Sequence, residues 1–346
     1  MGSRRNRQRH GENRSILKPG IMILVIVLGC FFLVNKFSAD IGTKEEKQKA
    51  KTKTQREKIQ GIKKLPGGYS SKAEKRGELR EITYSVKPRL GGPQKVKSAM
   101  VYLPCGFDRD KKYNFFYLMH GYGGTHHTFL GSMMAPRTFK NVLDNMIENG
   151  DIPPAVVVSV TYTKDYEYYD SMNDLGTEVV EDLAPVVEKR YGSYAESTDR
   201  KGLVKSRAHR AIGGFSMGGC STWMALKNNA DCFKYYLPVS MPMYYDNGGY
   251  VNFRSRECAK QIASGANEKR GNKKVYIFAA SGDEDFMNEA TRRQAEDLAK
   301  YDGFKMSKGE FDEGNIIFHT WKGHKHSYRY SFPYFYNGLI RFWEQR

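Results

Sequence analysis

Hydrophobic residues are distributed along this chain in three regimes. The first is an apolar run over residues 20–34, fringed by Ile16, Leu17 and Phe37, which approaches the ~20 residues needed to cross a bilayer. The second, residues 38–79, holds few large apolar side chains among Lys, Glu, Gln, Thr and Ser. From about residue 80 short β-rich runs alternate with helical segments. Residues 81–86, 99–103, 114–119, 155–163, 209–215, 235–240, 274–280 and 316–321 read as strands. Several are almost continuously apolar, the pattern of strands covered on both faces. Helical periodicity runs over 175–191, with Val179, Val180, Leu183, Val186 and Val187 apolar, and over 288–301. An antiparallel pair followed by βαβ alternation predicts an α/β fold: a mostly parallel central sheet with helices on both faces.

Charge refines the N-terminal half of this picture. The 346 residues carry a formal +18, and residues 1–79, with 19 Lys/Arg against 7 Asp/Glu, hold +12 of it. The body from residue 80 is only mildly basic, which argues against nucleic acid as a partner. The expected organisation is a basic cytoplasmic tail (1–19), a transmembrane signal anchor (20–37), a charged linker (38–79) and an α/β domain (80–346). Two other readings of the apolar run stand beside the anchor. A cleaved signal lacks a small-x-small site after the run. A lipoprotein is suggested by Val27-Leu28-Gly29-Cys30, but the following Phe31, Phe32, Leu33 and Val34 stay apolar where polar linker is usual. Six Lys/Arg precede the run, and four lysines (Lys36, Lys44, Lys47, Lys49) follow within about 15 residues. That excess places the body outside the cytoplasm, at a bacterial cell surface, with the membrane as partner through the anchor. Lysines further along the linker weaken this orientation. Of five cysteines, Cys30 falls in the anchor; Cys105, Cys220, Cys232 and Cys258 are open to being free or paired, with buried free thiols the simpler reading, and no CxxC or Cys/His spacing signals zinc.

The chemistry centres on Gly214-Phe215-Ser216-Met217-Gly218-Gly219, between an apolar strand and a helical run through Trp223 and Leu226. A nucleophile on a sharp strand-to-helix turn needs strained backbone angles and small neighbours, which Gly214 and Gly218 provide. The helix that follows aims its N–H groups at a developing oxyanion, so Met217 is one donor. Upstream, Leu118-Met119-His120-Gly121-Tyr122-Gly123-Gly124 is a glycine-dense loop after a strand, and the second donor is Tyr122 or its neighbour Gly121. His120 precedes the serine and reads as a structural brace of this loop; His126 and His127 read as surface or cleft-lining residues rather than metal ligands. The triad order of this fold places acid and then base after the serine. Ser281-Gly282-Asp283-Glu284-Asp285 offers the acid, Asp285 by position with Asp283 as alternate. Gly323-His324-Lys325-His326-Ser327 offers His324 and His326 as base, while His319 falls inside a strand. No carboxylate close in sequence accompanies the two late histidines, so a metal reading of them is set aside. Tyr162, Tyr166, Tyr168 and Tyr169 either line a sugar or phenolic cleft or belong to a packed or surface loop.

From about residue 78 to 346 these motifs resemble the feruloyl and acetyl-xylan esterases of carbohydrate esterase family one, the esterase-D-like α/β-hydrolases. The matching stretches are 100–104, 117–124, 213–219 and 280–285. The resemblance implies Asp285 as the acid, and His326 as the base because an aromatic, Tyr328, follows two residues later and an aromatic helix closes the chain. The family commonly carries Trp in this segment, where this chain has Tyr328 and Tyr330; that departure bears on substrate preference. The implied activity is hydrolysis of feruloyl or acetyl esters on xylan-like polysaccharide through an acyl-enzyme, with no metal or organic cofactor. An envelope acyltransferase of the same fold, as in the related mycolyltransferases, and a non-catalytic carbohydrate-binding protein are the alternatives.

Overall fold

A computed structural model describes residues 62–89, 91–163, 168–246 and 251–343. The expected tail, the anchor and the linker to residue 61 lie outside the described residues, as does Tyr166. Among those described, no helix is long and apolar enough to cross a membrane.

Eight strands form one sheet: β1 (Glu78–Val86), β2 (Lys95–Leu103), β3 (Asn114–Met119), β4 (Ala155–Val160), β5 (Arg210–Phe215), β6 (Tyr235–Val239), β9 (Tyr276–Glu284) and β10 (Ile316–Lys325). Between them in sequence, β7 (Tyr245–Asp246) and β8 (Val251–Asn252) make a separate short pair. The order across the sheet is β1-β2-β4-β3-β5-β6-β9-β10. β2 runs antiparallel to both its neighbours, and every other adjacent pair is parallel. The predicted α/β architecture, with its antiparallel entry and parallel body, is therefore the observed one.

Two strands outrun their apolar stretches. β9 continues through Gly282, Asp283 and Glu284, and β10 through Gly323 and His324 to Lys325, which pairs with Glu284. Parallel neighbours supply ladder partners irrespective of side-chain polarity, so pairing persists where hydrophobicity has ended. The extension makes Asp283 and His324 strand residues and leaves Asp285 and His326 just beyond the strand ends.

Strand alternation sorts side chains between two cores. From β3, Phe115, Tyr117 and Met119 face one core while Phe116 and Leu118 face the other. The first core is covered by α2 (Tyr168–Glu178), a π turn (Val179–Leu183), α3 (Ala184–Arg190), α5 (Met217–Asn229), α6 (Ser255–Arg270) and α7 (Asn288–Leu298), with the short α4 (Arg200–Lys205) beside them. The second is covered by α1 (Thr138–Glu148) and α8 (Tyr328–Leu339). The helical periodicity over 175–191 and 288–301 corresponds to α2–α3 and α7. α6 escapes the pattern because its buried stripe is Cys258, Ala259, Ile262, Ala263 and Ala266, mostly small residues with a weak apolar signal. Cys220, Cys232 and Cys258 are buried free thiols as expected; Cys105 is free but exposed.

Residues 62–77, placed in the charged linker by composition, pack on the body. Asn337 exchanges two hydrogen bonds with the Lys63 backbone, donating from Nδ2 to the carbonyl and accepting at Oδ1 from the N–H. The Tyr69 hydroxyl donates to Asp151, the Gly77 N–H to Asp144, and the N–H groups of Glu74 and Lys75 to Glu148. Polar composition conceals this docking because most of these bonds are made by backbone groups, with only Ile62, Leu65 and Tyr69 adding partly buried apolar contacts. Each such bond contributes about 1 kcal/mol. A chain beginning at residue 78 is therefore expected to melt several degrees below one beginning at residue 59, measured by calorimetry; equal melting temperatures would show the segment to be passive.

Candidate active site

Ser216 sits between β5 and α5 with φ 56° and ψ −121°, a left-handed conformation that costs a non-glycine residue about 1–3 kcal/mol. The turn holds it there: the Ser216 N–H donates to the Val239 carbonyl at 2.9 Å, and its own carbonyl accepts from the N–H groups of Gly219 and Cys220 at 2.7 and 3.1 Å. A Cβ on Gly214 would stand 2.5 Å from the Met119 carbonyl oxygen, and one on Gly218 would stand 2.3 Å from it. The glycines are required because the turn lies directly against the end of β3, a closer reason than crowding around the serine.

The chain's far end completes a relay. His326 Nε2 lies 2.8 Å from Ser216 Oγ, and His326 Nδ1 lies 2.9 Å from Asp285 Oδ1. A carboxylate accepts, so Nδ1 carries the proton and Nε2 is free to take the serine's. Asp285 Oδ1 also accepts from the Met287 N–H at 2.8 Å, which helps to hold the carboxylate in place. The Asp285 side chain is fully buried and that of His326 is mostly so. Phe215 and Phe286 hold the imidazole, with ring centroids 4.7 and 4.5 Å from it.

The alternates are engaged elsewhere. Asp283 accepts from the Gly323 N–H across the β9–β10 extension. His324 bonds the Tyr334 hydroxyl through Nδ1 at 3.0 Å and stacks on Trp321. Burial pushes the imidazole of His324 below its usual pKa. His319 is packed within β10, as expected, and desolvation pushes its pKa down to about 4.

His120 is the brace that the sequence suggests. Its Nδ1 donates to the Gly121 carbonyl at 2.7 Å, so Nε2 accepts from the Thr161 hydroxyl at 2.9 Å. Burial pushes its pKa down to about 4.

Of the two upstream oxyanion candidates, Gly121 is otherwise occupied: its N–H donates to the Tyr328 hydroxyl at 2.7 Å. That engagement sets Gly121 apart from Tyr122, its neighbour in the same loop. Met217 opens α5, where a backbone N–H has no intrahelical acceptor. A Cβ on Gly121 would lie 3.0 Å from the Tyr328 hydroxyl and 3.1 Å from Ser216 Cβ, so that hydroxyl stands at the rim of the site. Sequence reasoning missed this role for Tyr328. The signal was its departure from Trp: an indole N–H only donates and cannot accept from Gly121.

The described residues bring together a serine on a glycine-flanked elbow, a histidine and a buried aspartate on an eight-stranded α/β sheet. That combination defines the class of the serine α/β-hydrolases. The chain belongs to the esterase family, whose family model ("Putative esterase") matches residues 93–333. It is 32% identical over 281 residues to endo-1,4-beta-xylanase Y of Acetivibrio thermocellus, covering 81% of this chain and 24% of that protein. It is 24% identical over 220 residues to an endo-1,4-beta-xylanase/feruloyl esterase of Xylanibacter ruminicola, covering 60% of this chain and 27% of that protein. The chain thus spans about a quarter of the length of these curated relatives. Among solved structures, a serine-to-alanine mutant of the feruloyl esterase module from Clostridium thermocellum, complexed with sinapinate, superposes with TM-score 0.71 at 32% identity, over 82% of this chain and 94% of that one. A CE1 ferulic acid esterase from Anaeromyces mucronatus, 19% identical with TM-score 0.60 over 80% and 96% of the two chains, shares the fold.

Two measurements follow from this geometry. Tyr328→Phe strands the Gly121 N–H at a half-buried position, a loss of about 1–3 kcal/mol. Activity on a model ester is expected to fall by about tenfold with the fold intact by circular dichroism; an unchanged kcat/KM counts against the role. His120 binds its proton in the unfolded chain near pH 6.5 but in the folded protein only near pH 4. Stability is therefore lost as pH falls between those values, by about 3 kcal/mol, and the loss levels off below pH 4. Denaturant midpoints across this window are expected to drop less steeply in His120→Gln.

Proposed function

We propose that this protein is a serine esterase that hydrolyses carboxylic esters on carbohydrate, feruloyl or acetyl groups on xylan-like polysaccharide, through an acyl-enzyme. The observation that carries the reading is the unbroken relay Ser216 Oγ, His326 Nε2, His326 Nδ1, Asp285 Oδ1, with both contacts under 3 Å. Ser216 Oγ attacks the ester carbonyl carbon as His326 Nε2 takes its proton. Asp285 holds the ring in the productive tautomer and stabilises the imidazolium. The N–H groups of Met217 and Tyr122 receive the oxyanion, each worth about 3 kcal/mol of barrier. His326 then returns the proton to the departing sugar oxygen, and water repeats the cycle on the acyl-enzyme.

The aromatic side of the reading draws on the relatives named for feruloyl esterase activity and on the exposed rings at the site. Phe286 is 55% exposed while packed on the His326 imidazole, and Tyr122, next to Gly121 in the loop against Ser216, is 50% exposed. Large apolar rings left open beside a nucleophile suit a planar phenolic acyl group better than acetyl. Tyr162, by contrast, is buried with its hydroxyl on Ser221 and the His120 carbonyl, so it braces the core rather than lining a cleft. We also propose that the apolar run 20–37 tethers the enzyme outside the cytoplasm, on the strength of its basic N-terminal flank.

Turnover of p-nitrophenyl acetate and methyl ferulate is expected, with Ser216→Ala reducing kcat at least about 10³-fold. Hydrolysis that survives this substitution sinks the assignment. Phe286→Ala is expected to lower kcat on both esters by loosening the imidazole and, in addition, to raise KM several-fold for methyl ferulate but not for p-nitrophenyl acetate; an equal rise in KM for both would remove the aromatic preference. Acyl product accumulating on an added sugar instead of water would turn the reading towards acyl transfer.

A further inference from the structure

Three side chains that the proposed reaction does not use converge beside the loop carrying Tyr122. Glu81 comes from β1, the edge strand of the sheet, and His126 and His127 from the turn between β3 and α1. His126 Nε2 lies 2.8 Å and His127 Nε2 lies 3.8 Å from the same oxygen, Glu81 Oε1. All three candidate ligand atoms fall within 4.8 Å of one another. The two rings lie against each other with centroids 4.0 Å apart.

The proton positions follow from the partners. His127 Nδ1 lies 3.2 Å from the Gly131 carbonyl, which only accepts, so the proton is on Nδ1 and Nε2 presents a lone pair towards the carboxylate. At His126 the 2.8 Å contact is bridged by a proton on Nε2. The cluster thus sets two imidazole nitrogens and a carboxylate oxygen around one point with a single proton among them.

We propose that Glu81, His126 and His127 form a binding site for one divalent transition-metal ion of the zinc type, with a fourth position open to solvent. Two imidazoles and one carboxylate are a donor set suited to zinc. Bonds of 2.0–2.1 Å in a tetrahedron put ligand atoms about 3.3 Å apart. The two distances to Glu81 Oε1 straddle that value, so small side-chain adjustments suffice. The Gly131 carbonyl on His127 Nδ1 is the outer hydrogen bond that fixes a ligating tautomer. The metal takes the place of the proton on His126 Nε2, the neutral ring then carrying its proton on Nδ1; protonation of either imidazole competes with the ion, so affinity declines as pH falls. Such an ion ties the edge strand to the loop that leads from Tyr122 to α1. In sequence His126 and His127 look like lining residues because their carboxylate partner lies 45 positions upstream.

The test is titration of the full chain with Co²⁺, whose tetrahedral complexes absorb in the visible. One equivalent is expected to give saturable d–d bands that Zn²⁺ bleaches, and Zn²⁺ is expected to raise the melting temperature by several degrees. Glu81→Gln and His127→Ala, folded by circular dichroism, are each expected to weaken binding at least about tenfold, and His326→Ala to leave it unchanged. Absence of a one-equivalent signal overturns the proposal, as does undiminished binding in both cluster variants or loss of binding in His326→Ala alone. Because the readout is metal binding, the outcome is independent of the esterase reading.

Discussion

The site depends on how closely the turn after β5 can approach the end of β3. Gly214 and Gly218 leave no room for a side-chain carbon against the Met119 carbonyl, and Gly121 brings the neighbouring loop to within contact of Ser216 Cβ. That approach forces Ser216 to φ 56° and places its hydroxyl between two backbone loops. The strain is offset by the three backbone hydrogen bonds that clamp the turn, all donated or accepted by Ser216 itself. A looser turn would relieve the serine and part it from the Tyr122 loop at the same time.

The base and acid reach this point through strand pairing rather than local sequence. β9 and β10 run in parallel past their apolar stretches, and the register shift between Trp321 and Lys325 turns the chain so that His326 emerges facing Ser216. A Cβ on Gly282 would lie 1.9 Å from the His324 carbonyl oxygen, so the two extensions can pair this tightly only with glycine there. Asp283 and His324 then serve the extension itself, through the Gly323 N–H and the Tyr334 hydroxyl. The residues that compete with Asp285 and His326 in sequence are the ones that hold them in place.

This explains what the sequence revealed. The elbow was legible because its constraint is local: strand, glycine, serine, glycine, helix within a few residues. The loop bearing the acid was legible to within a few residues, since it ends a strongly apolar strand. The choice between Asp283 and Asp285 turns on where pairing with β10 stops, and composition carries no trace of that. Tyr328 meets Gly121 across 207 positions, and residues 62–77 dock largely through backbone groups, so neither contact has a periodicity to read. α6 was hidden by the smallness of its buried residues, not by any irregularity.

The sheet also separates chemistry from anchorage. β5 begins at Arg210, buried and bonded through Nε and Nη2 to both oxygens of Glu188, with further bonds to the Leu203 and Cys232 carbonyls. It ends at Phe215, one residue before Ser216. At about 3.3 Å per residue the ion pair and the nucleophile stand roughly 20 Å apart on one strand. A buried charge close to the relay would compete with Asp285 for the imidazolium that forms there. Placing the Arg210–Glu188 pair at the N-terminal end lets it secure β5 to α3 at the end of the strand away from Ser216. The sheet order concentrates the site residues, because β3, β5, β9 and β10 all direct their C-terminal ends to the same edge. The strained serine is thus held by its own backbone clamp, while the Arg210–Glu188 pair secures the opposite end of the same strand.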